Sequence, residues 1–177
     1  TNYPSEIEIH WLAEKHNANI LRGLSYLNKI IVIPRKDWQK SLKSLKFKNV
    51  FAEFSDLIKI IRAEKYDFTL DFHGIFKSGL FSFLSDADCR VGFSRKDSKE
   101  FNFIFNNRHI EANSSRITRI EKNFRLLSFF FKTVNIPSVF DNLLELNYED
   151  KKNIDAFLAQ FAGGKIIGVN PAVSKFG

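Results

Sequence analysis

The sequence predicts an α/β protein in which helices cover both faces of a parallel sheet. Short apolar runs, rich in β-branched residues, alternate along the chain with longer segments that carry apolar side chains at helical spacing. Most of the short runs are apolar at nearly every position, as strands are when both faces of their sheet are buried. A chain of 177 residues with 44% hydrophobic residues is long enough for one domain of this kind.

In the first half of the chain, the spacing of apolar residues changes repeatedly between that typical of strands and that typical of helices. Alternation predicts the first strand, a continuous apolar run predicts the strand at Lys29–Ile33, and spacings of three and four predict the helical segments. The predicted elements are a strand at residues 6–12, a strand at Lys29–Ile33, a short basic helix or loop at 37–45, a helix at 51–65 and a strand at 68–72. The apolar stripe of the longer helix consists of Phe51, Phe54, Ile58 and Ile61.

The second half continues this order and ends at a candidate domain boundary. The predicted elements are a helix at residues 75–84, a strand at Cys89–Phe93, a helix at 116–134, a helix at 149–161 and a strand at 166–169. Gly163 and Gly164 break the last helix. Residues 1–163 are therefore expected to form one domain, and residues 164–177 to begin a second.

The composition indicates an anionic partner and excludes several kinds of site. The net charge of +7 favours phosphate-rich lipid headgroups, a nucleotide or nucleic acid, although a surface rich in solvated lysines gives the same balance. The single Cys89 excludes an internal disulfide and fits a reducing compartment. The four histidines have no metal-ligand spacing, so neither a metal nor another cofactor is expected. No apolar run approaches the ~20 residues of a membrane span.

Polar residues follow the predicted strand at 68–72 and precede the next helix. In open α/β sheets, ligands bind outside the carboxyl ends of the strands, so Asp71, His73, Gly74, Lys77 and Ser78 form a candidate anion site. Backbone N–H groups at such a turn bind phosphate or carboxylate, and Lys77 adds a positive charge. The alternative is an ordinary turn in which Asp71 caps, Gly74 turns and Lys77 is solvated.

Two further basic segments follow predicted strands. The first surrounds Trp38 with Arg35, Lys36, Lys40 and Lys43, and it indicates either a phosphate site or a solvated face with Trp38 anchored at the edge of the core. The second comprises Arg90, Arg95, Lys96, Lys99 and Arg108. Basic and aromatic residues together are typical of single-strand binders. However, Phe101, Phe103 and Phe105 alternate as in a strand or a packed segment, and no nucleic-acid motif is present. Nucleic acid is therefore not an expected partner.

Several blocks, in order, resemble the heptosyltransferases of glycosyltransferase family 9. The most specific is YDFTLDFHGIFKSGLFSFLSDADCRVGFSR, which is similar to the family's "YD–IDLQGLLKSAL–L–RIGFDR" stretch. EIHWLAEKHNANIL resembles the family's second strand and helix, and KIIVIPRKDWQKSL its "IPV–RRWRKS" stretch. FNNRHIEANSSRITRIEKNFRLL resembles "YNR" with "HAVERNRLLL", and IIGVNPAVSKFG resembles the "HPGAS–KRWP" stretch that begins the second domain.

The resemblance implies the N-terminal, Rossmann-like domain of a GT-B glycosyltransferase, followed by the start of the second domain. Such an enzyme transfers heptose from ADP-heptose to the Kdo-bearing lipid A core, inverting the anomeric centre without a metal. It also implies a cytoplasmic protein in peripheral contact with the inner membrane. The family's carboxylate base and first strand-helix unit are expected upstream of Thr1, and most of the donor domain beyond Gly177.

The resemblance also assigns roles to individual residues. Acceptor binding is implied for Arg35, Lys36, Lys40, His73, Gly74, Lys77, Arg95 and Lys99. Ser174 matches the hydroxyl residue of the donor diphosphate loop, and His73 stands where the family usually has glutamine. A family 9 enzyme with another envelope-glycan acceptor, or a basic Rossmann-like module without activity, remains an alternative.

Overall fold

The computed structural model describes residues 7–112, 117–131 and 148–161. Five strands and six α-helices lie within these ranges. The strands are β1 (His10–Glu14), β2 (Lys29–Ile33), β3 (Phe68–Leu70), β4 (Cys89–Phe93) and β5 (Arg108–Ile110). The helices are α1 (Lys15–Leu21), α2 (Arg35–Lys43), α3 (Phe47–Ala63), α4 (Phe76–Leu84), α5 (Arg119–Leu127) and α6 (Tyr148–Ala159).

The strands form two parallel groups, β1–β2 and β3–β4–β5. The groups lie beside each other, because residues of β1 meet residues that flank β3. His10 Nδ1 lies 3.0 Å from the hydroxyl of Tyr66. Trp11 and Phe72 stack between the groups with ring centroids 6.0 Å apart. The carboxyl ends of β1 and β3 lie on the same side, because Lys77, after β3, is close enough to Glu14, at the end of β1, for its charge to lower the Glu14 pKa.

Helices cover both faces of the three-stranded group, as the apolar runs predicted. Val91 and Phe93 of β4 point into a core that also contains Leu126 of α5 and Ala112, which follows β5. Gly92, between them, faces the opposite side and lies against Asn106. A second core joins Ile31 of β2 to α3, and partly buried side chains of α4 complete it. The protein therefore has an α/β fold, and the loops at the carboxyl ends of its strands are candidates for a ligand site.

Most predicted elements are present, but several boundaries differ. The first strand covers residues 10–14, because its pairing with Lys29–Ile33 begins at His10. The helix α5 is capped by Thr118 and Glu121 and ends at Leu127, whereas the prediction extended it to 134. The Ser128 hydroxyl donates to the Arg125 carbonyl, and Phe130 then contacts Phe68. The predicted boundary at Gly163 and the strand at 166–169 lie outside the described residues.

Two predictions about aromatic residues need correction. Of the two interpretations of Phe101, Phe103 and Phe105, packing holds for Phe105, which contacts the rings of Phe76 and Phe83. The strand is wrong: Phe101 has φ 57°, and a 3₁₀ helix follows at Asn102–Phe105. This geometry directs Asn102 into the protein, where it is fully buried. Phe51 was expected on the apolar stripe of α3 but is 75% exposed, since Leu57, Ile58 and Ile61 face the core instead.

Candidate functional site

The candidate site is built from the loops at the carboxyl ends of the strands. Glu14 ends β1, Arg35 follows β2, Asp71 follows β3, and the loop of residues 94–99 follows β4. Parallel pairing brings Glu14 and Arg35 together at the end of one strand group, and Asp71 and residues 94–99 together at the end of the other. The basic residues expected to bind acceptor lie on these loops or on the helices that follow: Arg35, Lys36, Lys40, Lys77, Arg95 and Lys99.

A shallow depression of about 190 Å³ lies beside the ends of β1 and β2. Its lining consists of Glu14, Lys15, His16, Ile33, Pro34, Arg35, Lys36, Asp37 and Lys40. Arg35 Nη1 donates to Glu14 Oε1 at 2.7 Å, and Lys15 pairs with Asp37 at 3.3 Å. Each carboxylate is therefore paired, while the side chains of Lys36 and Lys40 remain exposed beside them.

The electrostatics of Glu14 connect this depression to the neighbouring loop. The hydrogen bond from Arg35 lowers the pKa of the Glu14 carboxyl below its ordinary value of 4.5, while burial opposes that shift. The charges of His16 and Lys77 lower the Glu14 pKa further. Lys77 belongs to α4, after β3, so its ammonium acts on the same group as Arg35. The basic segment around Trp38 and the candidate anion site after β3, which were predicted separately, therefore both act on the charge of Glu14.

The turn after β3 is held by the buried carboxylate of Asp71. Its Oδ1 accepts from the backbone N–H groups of His73 and Gly74, each at 3.0 Å. Its Oδ2 accepts from the Ser78 hydroxyl at 2.9 Å. Gly74 has φ 67°, a conformation that favours glycine.

This geometry changes the predicted role of the turn. The N–H groups of His73 and Gly74 already have partners within the chain, and the Phe76 N–H donates to Glu100 at 3.2 Å. Asp71 therefore caps and Gly74 turns, as the alternative interpretation held. The side chains of His73 and Lys77 are exposed at this turn and accessible to a ligand.

The loop of residues 94–99 packs over this turn. The Lys99 N–H donates to the Gly74 carbonyl at 2.8 Å. The buried Asp97 carboxylate accepts from the Ala112 N–H at 2.8 Å and from the Ser94 hydroxyl at 3.1 Å. Arg95 lies over the Phe103 ring, 5.5 Å from its centroid. The loop is thereby fixed against the turn, and the side chains of Arg95 and Lys99 are exposed.

Lys122 reinforces the same loop from α5. Its ammonium donates to the Asp97 carbonyl and lies 4.3 Å from the centroid of the Phe93 ring. Burial lowers the pKa of Lys122, and the nearby charges of Lys99 and Arg119 contribute to the shift, whereas Asp97 opposes it. Lys122 thus places a positive charge against the loop of residues 94–99.

Several functional candidates are not part of this surface. Trp38 packs against the α3 core, contacts Phe54 and donates to Glu53, so it is an anchor at the edge of the core. The Arg90 guanidinium donates to the carbonyls of Phe105 and Ala87. Ser174 lies outside the described residues. Within the described ranges, no three His, Cys, Asp or Glu side chains gather as a ligand set for a metal.

Sequence reasoning missed four residues that shape the site: Glu14, Asp97, Asn102 and Lys122. Glu14 could have been found, because a carboxylate at a strand end and a basic residue after the neighbouring strand are expected to meet. The roles of the other three depend on burial and on loop conformations that no local pattern specifies.

Comparison with known proteins gives a consistent result. The family model described as glycosyltransferase family 9 (heptosyltransferase) matches residues 54–175. No curated protein matches the chain. Two solved structures are similar over 77% of this chain: E. coli heptosyltransferase WaaC with ADP-2-deoxy-2-fluoro heptose, at TM-score 0.64 and 19% identity, and WaaC with ADP, at 0.63 and 20%. The chain spans 42% and 41% of the WaaC chain in those two structures.

The structural likeness confirms the predicted fold class, a Rossmann-like sheet of a GT-B glycosyltransferase. The family model covers well over half of the chain and includes the turn after β3 and the loop after β4. The chain therefore belongs to glycosyltransferase family 9, the heptosyltransferase family.

Proposed function

We propose that this chain is the acceptor-binding part of an inverting heptosyltransferase that acts on the Kdo-bearing lipid A core. The observation that carries the proposal is that basic side chains follow the carboxyl ends of three strands. Arg35 and Lys77 lie in the first turns of the helices after β2 and β3, and Arg95 lies on the loop after β4. Phosphates and Kdo carboxylates are the anionic groups that such a surface would bind.

The proposed reaction needs two substrates. The donor is ADP-heptose, in keeping with the ADP and ADP-heptose analogue named for the WaaC structures, and Ser174 is proposed to bind its diphosphate. A carboxylate base removes the proton of an acceptor hydroxyl, whose oxygen attacks the anomeric carbon. The bond from that carbon to the β-phosphate oxygen breaks, and ADP leaves without the help of a metal. The described residues hold the acceptor during this step.

The experiment measures steady-state kinetics of the complete protein with both substrates varied. We expect Lys40→Ala and Lys77→Ala to raise the acceptor KM about tenfold each, because each removes one charge-assisted contact. The donor KM should change little. Lys59→Ala is the matched control, since Lys59 is exposed on α3 and pairs with Asp56 within the same helix. Equal increases in both KM values would contradict the assignment and indicate a structural role.

The identity of the acceptor is a more specific proposal than the transfer of heptose. His73 stands at the exposed turn beside Lys77, where the family usually has glutamine. A histidine there could select another envelope glycan as acceptor. Transfer to such a glycan, with no transfer to Kdo-lipid A, would keep the glycosyltransferase and replace its acceptor.

We also propose that the protein contacts the cytoplasmic face of the inner membrane. Exposed aromatic and aliphatic side chains lie on α4 and around the 3₁₀ helix, namely Phe76, Phe83, Phe101 and Ile104. We call these four residues the aromatic surface. Arg90 lies over Phe83, and Lys77 and Lys99 are nearby in the chain and exposed. Apolar side chains flanked by basic ones favour the interface of an anionic membrane. No described helix is long and apolar enough to cross a bilayer.

A further inference from the structure

A line of polar side chains runs through the interior toward the turn after β3. Thr69 Oγ1 lies 2.8 Å from Ser82 Oγ, and Ser82 donates to Asn106 Oδ1 at 2.9 Å. Asn106 Nδ2 then donates to Asn102 Oδ1 at 3.3 Å. Asn102 Nδ2 donates to Asp71 Oδ2 at 2.5 Å. The line therefore ends on the carboxylate that holds the turn.

Asn102 is the central member of this network. It is 0% exposed, and both hydrogens of its amide are used, one on Asp71 and the other on the Ile75 carbonyl at 2.7 Å. A hydrogen bond to a carboxylate in such a buried environment is stronger than one between neutral groups at the surface. Removing the amide would leave Asp71 Oδ2 with the hydroxyl of Ser78 as its remaining side-chain donor among the described residues.

The surrounding backbone is shaped to admit the two asparagines. A Cβ atom on Gly79 would lie 2.5 Å from Asn102 Nδ2 and 2.8 Å from the ring of Phe105. A Cβ atom on Gly92 would collide with the Asn106 amide. Glycine on α4 and glycine on β4 thus provide the room in which this network lies. Such close complementarity indicates that the position of the Asn102 amide is tightly defined.

We propose that Asn102 is a positioning residue for the acceptor site. By holding Asp71 Oδ2, its amide orients the carboxylate so that Oδ1 receives the N–H groups of His73 and Gly74. The orientation of that turn sets where the side chains of His73 and Lys77 meet a ligand. The link to acceptor binding rests on the proposed function, whereas the effect on the turn does not.

Hydrogen exchange of the complete protein tests the effect on the turn. We expect Asn102→Leu to speed exchange of the His73 and Gly74 amides about tenfold or more, because their acceptor loses a charge-assisted partner. Asn107→Leu is the control: Asn107 is exposed in the same segment and makes two side-chain hydrogen bonds, to the Arg90 N–H and the Asp88 carbonyl, both at 2.8 Å. Unchanged exchange at His73 and Gly74 in a folded Asn102→Leu variant would overturn the proposal.

A second variant distinguishes hydrogen bonding from packing. Asn102→Asp keeps the size of the side chain but places a carboxylate against Asp71, so the turn should loosen at pH 8. Lowering the pH should let the facing carboxyl groups share one proton and restore a hydrogen bond, because two adjacent like charges repel each other. Exchange is compared with that of the wild-type protein at each pH. Faster exchange that does not recover at the lower pH would overturn the proposal. If Asn102→Leu does not fold, exchange of the His73 and Gly74 amides in Asn102→Asp still tests whether Asn102 positions the turn.

Kinetics connect the turn to acceptor binding. Asn102→Leu should raise the acceptor KM about tenfold and leave the donor KM unchanged, while Asn107→Leu changes neither. Unchanged acceptor KM alongside loosened exchange would overturn the role at the site. Failure of the wild-type protein to transfer heptose would refute the proposed function instead, and the exchange result would still stand.

Discussion

At the scale of single residues, the ion pair between Glu14 and Arg35 makes the stability of the protein depend on pH. Arg35 donates to Glu14 at 2.7 Å and lowers the pKa of its carboxyl. Because the folded pKa lies below the unfolded one, the pair stabilises the protein fully above about pH 4.5. That stabilisation is lost as the pH falls through the lowered folded value.

We therefore expect Glu14→Gln to cost about 0.5–1 kcal/mol in the free energy of unfolding at pH 7. The difference from wild type should disappear as the pH falls below the lowered pKa of Glu14. Urea denaturation across this range measures both effects. Asp56→Asn is the control, because the exposed Lys59–Asp56 pair lies within one helix. A destabilisation that is the same at neutral and acid pH would show that packing, rather than charge, is responsible.

The sequence predicted the basic residues of the site better than the groups that hold them. Arg35, Lys77 and Arg95 follow strands and carry charge, so topology alone placed them at one edge. The partnership of Asp71 with Asn102 was not predictable, because it joins residues 31 apart through the conformation of Phe101. A left-handed backbone conformation is uncommon for phenylalanine, and no local sequence pattern predicts it.

At the scale of elements, α4 and the 3₁₀ helix pack together only because residue 79 lacks a side chain. A methyl group there would meet the Asn102 amide at 2.5 Å. We expect Gly79→Ala to destabilise the protein by about 1–3 kcal/mol, despite the better helix propensity of alanine.

A double-mutant cycle with Asn102→Ala isolates the cause. If the collision with the amide is responsible, the double variant should be more stable than the sum of the single effects by about 1 kcal/mol or more. Thermal or urea unfolding of the four proteins gives the coupling energy. Additive effects would mean that the strain of Gly79→Ala arises elsewhere.

The regular elements were predictable where burial imposes a period. Lys29–Ile33 and Cys89–Phe93 have the predicted bounds. The first is a continuous apolar run after Lys29, and the second ends in three consecutive buried residues, as in a strand covered on both faces. The strand Arg108–Ile110 was missed, since three residues with two exposed side chains give no apolar signal. It becomes a strand through parallel pairing with β4, a tertiary effect that overrides local preference.

At the scale of the whole molecule, the aromatic surface and the basic loops are proposed to face an anionic membrane together. Phe101 and Ile104 are 69% and 61% exposed. We expect Phe101→Ser with Ile104→Ser to weaken binding to vesicles containing anionic lipid by about tenfold or more, because two large apolar side chains no longer enter the interface.

Vesicle sedimentation measures this effect. Phe51→Ser is the matched control, because Phe51 is equally exposed but lies on α3, away from the aromatic surface. Equal loss of binding in both proteins would indicate nonspecific adhesion. Binding that is unchanged in the double variant would contradict the proposed membrane contact.

The basic residues at the carboxyl ends of the strands are proposed to bind the acceptor of a heptosyltransferase. The most direct measurement is mass spectrometry of Kdo-lipid A after incubation with ADP-heptose and the complete protein. We expect an increase in lipid mass of one heptose residue, and a smaller yield with Lys77→Ala at low acceptor concentration. No mass increase with a folded protein that still binds ADP-heptose would contradict the assignment of this acceptor.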